Sequence, residues 1–292
     1  MSKTPQVSVI TTFYNAELFL AEAIESVLSQ RDFDDWELLL VDDGSLDHSD
    51  NVAQRYAAAI PGKIRLFHHQ ERRNLGISAS RNLGIAHALG ELIAFLDADD
   101  IWLPNKLRRQ IQIMNDHPKV AMIYGAAERW FSWNESIAVE NRLNNHIVHP
   151  LLLTSDGGGE GIIDSPSLLQ TFLIDESQTP CTCTVMVRRK DVVSIGGFAD
   201  SFRGLYDDQV FYAKLCFERS IYASSECWAR YRQHEDSCCA VARRTNSTRI
   251  ERSRFLQWLK RHIHQRPVVN SALVVIIDDE LAKLDVSIAS II

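Results

Sequence analysis

The sequence predicts one doubly wound α/β domain, a mostly parallel sheet with helices on both faces, followed by a C-terminal helical extension. Three observations carry this reading. Short uncharged runs alternate with amphipathic segments from Val7 to Leu96, the pattern of strand–helix crossovers in a parallel sheet. Two of those runs end abruptly in acid, at Asp42-Asp43 and at Asp97, Asp99 and Asp100. In open sheets of this kind ligands bind outside the carboxyl ends of the strands, so both acidic ends would face one crevice.

Val7 to Thr12 is β-branched and uncharged, hence a buried strand. Asn15 is a plausible cap for the helix that follows over 16–29, where Leu20, Ala23, Ile24, Val27 and Leu28 recur at helical spacing. Glu37 to Val41 is a second strand, and the helix over 48–60 stops at Pro61-Gly62. Ile64 to His68 is a third strand. Gly76 to Leu89 reads as a helix closed by Gly90, and Leu92 to Leu96 is the fourth strand, too short and apolar for a surface helix. A helix over 104–115 and a strand over 120–124 come next, then an aromatic segment over 128–140 that suits a hairpin or flap. The glycine-rich stretch 156–161 lacks a phosphate-loop lysine and reads as a loop, either a lid or a plain surface insertion. Cys183 to Arg188 reads as a strand, Asp207-Asp208 opens a helix, and 220–228 is strand-like.

From Thr248 onward basic residues alternate with Ile250, Phe255, Leu256, Trp258, Leu259 and Ile263. Such a basic amphipathic helix either lies on an anionic membrane surface or packs on the domain with its basic face in water. The run Leu273 to Ile277 is strand-like and would serve as an added strand or a homodimer contact.

At 292 residues, 46% of them hydrophobic, the chain can bury one sizeable core. Its formal charge of −7 argues against a nucleic-acid binder. No apolar run is long enough to span a bilayer and the N-terminus lacks a signal peptide's apolar core. The six cysteines show no Cys-x-x-Cys pair and no zinc-ligand spacing, so free thiols in a reducing cytoplasm are expected.

Three carboxylates at one strand end would repel one another in a dry site, which calls for a hard divalent cation with positions left for phosphates. An acidic turn capping the next helix is the alternative. Neither a Gly-x-Gly-x-x-Gly fingerprint nor a Walker lysine loop follows the first strand. A nucleotide would therefore be held by acids and a cation. The acid pair at 207–208 sits at a helix N-terminus, which favours an ionised carboxylate able to act as a base; an acidic cap is the alternative, and the one that helix logic alone favours.

In order along the chain stand residues 7–15, Ser26 to Gln30, Val41 to Ser45, Asn74 to Asn82, Leu96 to Asp100, Gly196 to Phe198, Asp207-Asp208 and Tyr231 to His234. Together these resemble the motifs of glycosyltransferase family 2, over Val7 to about Ser237. The resemblance implies a GT-A, Rossmann-like catalytic domain over 1–240, with a nucleotide-sugar half over 1–125, an acceptor half over 126–240, and an extension over 241–292. It implies an inverting, metal-dependent transfer of a sugar from a nucleotide-diphosphate donor, commonly UDP, to a glycan or lipid-linked acceptor in cell-surface polysaccharide synthesis. By the same resemblance Thr11, Phe13 and Asn15 line the nucleotide pocket, and Asp43, with Asp42 beside it, accepts from the base. Arg81 approaches the nucleotide or its diphosphate, and Asp97 approaches the ribose. Asp99, with His234, holds Mn²⁺ or Mg²⁺, and Asp208 is the catalytic base. Gly197, Asp207 and Trp102 fall on the acceptor or sugar side; the family's first acid is more often Glu than the Asp207 found here. The implied location is cytoplasmic, with peripheral contact at the inner membrane face as one reading of the basic helix. Two rival functions are a sugar-phosphate nucleotidyltransferase, whose glycine-rich basic loop is missing after the first strand, and a non-catalytic nucleotide-sugar binding relative.

Overall fold

The computed structural model describes residues 4–133, 144–150, 159–266 and 270–289. The first four strands are β1 (Val7–Phe13), β2 (Trp36–Asp42), β3 (Ile64–His68) and β4 (Leu92–Phe95). They pair in the order β3-β2-β1-β4, all parallel, with α1 (Leu20–Leu28), α2 (Ser49–Ala59) and α3 (Ile77–His87) as the crossovers. Side chains alternate across the sheet: Val7 and Val9 join one core with Leu38 and Leu40, while Ile10 joins the other with Leu39 and Val41. Both faces are covered, and every residue of β1, β2 and β4 is buried.

The second half is mixed, so "mostly parallel" holds for the first half alone. β5 (Ile101–Trp102), α4 (Lys106–Asp116), β6 (Met122–Trp130), β7 (His146–Val148), β8 (Gly161–Ile163) and α5 (Ser167–Ile174) lead to β9 (Met186–Arg188) and α6 (Arg189–Ser194). After them come α7 (Asp207–Cys216) and β10 (Ile221–Arg232). β9 runs antiparallel between β4 and β6, whereas β10 pairs parallel with β6 and antiparallel with β5 and β8. β9 thereby joins the parallel half to the strands of the second half.

Several expectations are corrected. Asn15 does not cap α1, which starts after Phe19; its backbone sits at a φ of 49° and its side chain accepts from the Leu46 N–H at 2.8 Å. Gly90 is not the cap of α3, a place taken by Ala88. It is a close approach instead, where a Cβ would meet the Ser8 backbone nitrogen at 2.6 Å. Cys183 to Arg188 is only partly a strand: Thr182–Thr184 is a 3-10 turn because the Thr184 N–H and hydroxyl both bond the Cys181 carbonyl. The aromatic segment at 128–140 begins inside β6, which pairs antiparallel with β7 as a hairpin would; its residues 134–140 lie outside the described residues. So do residues 156–158 of the glycine-rich stretch, whose last residue, Gly161, opens β8.

The extension is helical: α8 (Cys238–Arg244), α9 (Thr248–His264) and α10 (Ser271–Ala289). Leu273 to Ile277 is therefore not a strand. The Asn270 carboxamide accepts from the Leu273 N–H at 3.1 Å and starts the helix, and Leu273 and Ile277, four apart, are fully buried. The apolar face of α9, Phe255, Leu256, Leu259 and Ile263, is buried in the same core as α7. That face is therefore packed on the domain and is not presented to a membrane. No described helix is long and apolar enough to cross a bilayer.

Candidate active site

One cavity of about 520 Å³ opens at the carboxyl edge of β1, β2 and β4. It is lined by Asp43, Arg81, Asp97, Asp207 and Asp208 from the sequence-expected set, together with the exposed Tyr14. Asp43 follows β2 and its oxygens accept from the Leu75 and Gly76 backbone N–H groups at 2.8 and 3.0 Å. It thus ties the segment before α3 to the sheet edge while still facing the cavity.

Arg81, on α3 and only 3% exposed, holds two carboxylates at once. It donates to Asp97 Oδ1 at 2.6 Å and also to Asp207. Burial opposes the charge on Arg81, but Asp97 and Asp207 more than offset it and hold its pKa above the ordinary value. Burial pushes Asp207 up to about 7, against the pull of Arg81, and neighbouring Asp208 and Asp97 add to the rise. Burial also raises Asp208. Asp208 has no ion pair among the described residues; its one side-chain bond is from the Gln209 N–H at 2.7 Å. The pair is presented by Tyr206, held at a φ of 65° by its buried ring and a 2.7 Å bond to Glu176. A bulky residue with positive φ at the start of a helix is strained backbone beside the two acids.

Beyond β4, Asp99 Oδ2 lies 3.0 Å from His234 Nε2. The loop that carries Asp99 is set by Arg232, a residue that sequence reading passed over although it lies in the same motif as His234. Arg232 donates to the Asp99 carbonyl at 2.6 Å, and its backbone N–H bonds Asp100 Oδ1 at 2.9 Å. Its guanidinium pairs with Glu22 and lies 4.9, 4.5 and 5.0 Å from the ring centres of Phe19, Trp130 and Trp133. Such an enclosure leaves it no other position.

The other expected residues are placed elsewhere. Thr11 and Phe13 are buried in β1, and the Thr11 hydroxyl is without a partner. Asp42 is buried with one oxygen accepting from the Ser45 N–H and the other unpartnered, 3.9 Å from His68 Nε2. Gly197 (φ 60°) sits against Asn82, where a Cβ would meet Oδ1 at 2.5 Å, and its carbonyl accepts from Lys214. Trp102 is corrected outright: it is 2% exposed, its indole N–H donates to the Cys183 carbonyl at 2.8 Å, and it packs under Lys106. It does not face the cavity. Arg129 and Arg203 do line it, and neither had a motif to mark it.

In α/β sheets ligands bind outside the carboxyl ends of the strands, where these acids are gathered. The family model for glycosyl transferase family 2 matches residues 8–192, more than half of the chain. The chain belongs to that family. It is 38% identical over 122 residues to the UDP-Glc:α-D-GlcNAc-diphosphoundecaprenol β-1,3-glucosyltransferase WfgD of Escherichia coli, a match spanning 42% of this chain and 46% of WfgD. Three other curated relatives are spanned over 41%, 36% and 67% of their length. Among solved structures, S. aureus TarS 1–349 in complex with UDP-GlcNAc superposes with a TM-score of 0.67 at 18% identity, over 96% of this chain and 71% of that one. The mannosyltransferase PcManGT from Pyrobaculum calidifontis, in complex with GDP-Man and Mn²⁺, gives 0.59 at 16% identity, over 99% and 75%. Both show that the fold is GT-A.

Proposed function

We propose that the chain is an inverting glycosyltransferase that moves a sugar from a nucleotide-diphosphate donor, of the UDP class, to a hydroxyl of a glycan or lipid-linked acceptor in cell-surface polysaccharide synthesis. The observation that carries this is the convergence of Asp43, Asp97, Arg81 and Asp208 on one cavity in a family 2 chain. Donor and acceptor class follow WfgD by likeness. Tyr14 and Asp43 would hold the base, and Asp97 the ribose.

A divalent cation fits Asp99 and His234. Adjacent ligands of an octahedral ion at about 2.1 Å stand about 3 Å apart, and the two ligand atoms are 3.0 Å apart. One imidazole nitrogen tilts the choice from Mg²⁺, which prefers oxygen, towards Mn²⁺. When bound, the ion would neutralise charge on the departing diphosphate. Asp208 takes the proton of the acceptor hydroxyl as its oxygen bonds the anomeric carbon and the bond to the diphosphate breaks. Attack from the face opposite the diphosphate inverts that carbon. Arg81 fixes Asp207 beside the base and Asp97 opposite it, so both acids are in place before substrate arrives.

The test is product analysis with UDP-glucose and UDP-GlcNAc, Mn²⁺ and a GlcNAc-diphospholipid acceptor. UDP release coupled to a β-linked product supports the reading. In a parallel mixture of UTP and glucose 1-phosphate, pyrophosphate release with formation of UDP-glucose would assign a nucleotidyltransferase, and binding without turnover of any donor a non-catalytic relative.

A further inference from the structure

At the cavity wall, and just behind it, stand three ligand-type groups that the transfer reaction does not use. A carboxylate oxygen of Asp100 and the Sγ atoms of Cys181 and Cys183 all lie within 4.8 Å of one another. The two sulfurs are 3.2 Å apart. Asp100 and Cys183 are buried, Cys181 is half-buried, and Asp100 and Cys181 open onto the cavity. None of the three is in an ion pair among the described residues.

The scaffold around them is built. Cys183 sits on the 3-10 turn at 182–184 and Cys181 at its N-cap, and the turn's backbone is pinned by Trp102 Nε1 on the Cys183 carbonyl (2.8 Å) and by Gln110 Nε2 on the Thr184 carbonyl (2.6 Å). The Thr184 N–H closes the turn on the Cys181 carbonyl at 2.9 Å. Asp100 is aimed by the Arg232 N–H and by its own turn onto the Asp97 carbonyl at 3.1 Å. Partners that fix the backbone of a ligand are what a metal site needs beyond its ligands.

We propose that Asp100, Cys181 and Cys183 form a second cation site, for a borderline-soft divalent ion of the zinc class, distinct from the harder Asp99–His234 site. Two sulfurs and one carboxylate oxygen are a donor set that Zn²⁺ accepts and Mg²⁺ or Mn²⁺ does not. At a Zn–S length of about 2.3 Å in tetrahedral geometry the sulfurs would stand about 3.8 Å apart, so a rotation at the half-buried Cys181 completes the site. The fourth position faces the cavity and takes water. Binding converts each thiol to a metal-bound thiolate and releases its proton to solvent, with no change of oxidation state. One short loop then serves two ions, Asp99 the first and Asp100 the second.

The test is titration of the full, untagged, reduced chain with Co²⁺ and then Zn²⁺. The expected result is one equivalent of Co²⁺ with a near-ultraviolet thiolate-to-cobalt band, displaced by Zn²⁺ and lost in Cys181→Ser/Cys183→Ser. The band survives in Cys238→Ser/Cys239→Ser. In the unsubstituted chain, Zn²⁺ should slow alkylation of Cys181 at least tenfold, read by peptide mass spectrometry, which needs no variant to fold. Absence of the band, its loss in the 238/239 variant, or unchanged alkylation of Cys181 would overturn the proposal.

Discussion

Asp99 Oδ2 and His234 Nε2 meet at 3.0 Å although the residues are 135 apart in sequence. The loop after β4 and the segment after β10 are brought together by the sheet, in which β10 lies two strands beyond β9, the neighbour of β4. Replacing His234 by Ala removes a proposed direct ligand and should weaken Mn²⁺ binding by more than the about 10–100-fold that loss of an outer-shell partner costs, leaving the melting temperature nearly unchanged. Titration of Mn²⁺ by electron paramagnetic resonance reads the affinity.

Asp208→Asn should lower turnover by about 10²–10⁴-fold, the usual worth of a positioned base, with donor affinity kept. Single-turnover kinetics beside calorimetry separate the two. Wild-type turnover in this variant would place the base elsewhere.

The pH dependence follows from burial of the acid pair. Asp208 must be ionised to accept a proton, and its pKa is raised. The acid limb of kcat/KM should therefore lie above the ordinary carboxylate range and vanish with the activity in Asp208→Asn. Asp207, pushed up to about 7 from 3.8, keeps its proton in the folded chain where the unfolded chain has lost it. The folded state binds more protons across that window, so this group's contribution to stability falls as pH rises from about 4 to about 7. Urea midpoints across that range, compared with Asp207→Asn, check the sign.

Arg81→Met leaves the part-exposed Asp97 and the buried Asp207 without their shared partner. Breaking a buried pair in this way costs about 3–5 kcal/mol, so Arg81→Met should lower the denaturation midpoint sharply. Arg81→Lys should recover part of the loss, since one ammonium cannot match the fork that reaches both acids.

Arg232→Met should loosen the Asp99–Asp100 loop without removing a ligand. Mn²⁺ affinity should fall while UDP affinity without metal is kept. Equal loss of both would mean that Arg232 supports the fold and not the loop.

Much of this was legible in the residues. β1, β2 and β4 announce themselves because both faces are buried, and the runs of β2 and β4 break at acid. Gathering of Asp43 and Asp97 at one cavity follows from the strand ends alone, whereas Asp208 could be joined to them only through the family resemblance, because a helix start does not say which crevice it faces. What stayed hidden depends on direction. Trp102 follows the acidic turn in sequence, but its indole points into the core towards Cys183. The run at 273–277 is too short to show a period, and only the buried pair Leu273 and Ile277, with Asn270 as a cap, reveals a helix. Arg81 carries no mark of bridging two acids from different segments, and Cys181 and Cys183 gain meaning only once Asp100 is folded beside them.

The central claim is a metal-dependent nucleotide site at the carboxyl edge of the sheet. Calorimetry with UDP, with and without Mn²⁺, on the wild-type chain and on Asp99→Ala tests it most directly. Tight binding that needs Mn²⁺ and disappears in Asp99→Ala is the predicted result. UDP binding of equal strength with and without the ion, unchanged in Asp99→Ala, would contradict it.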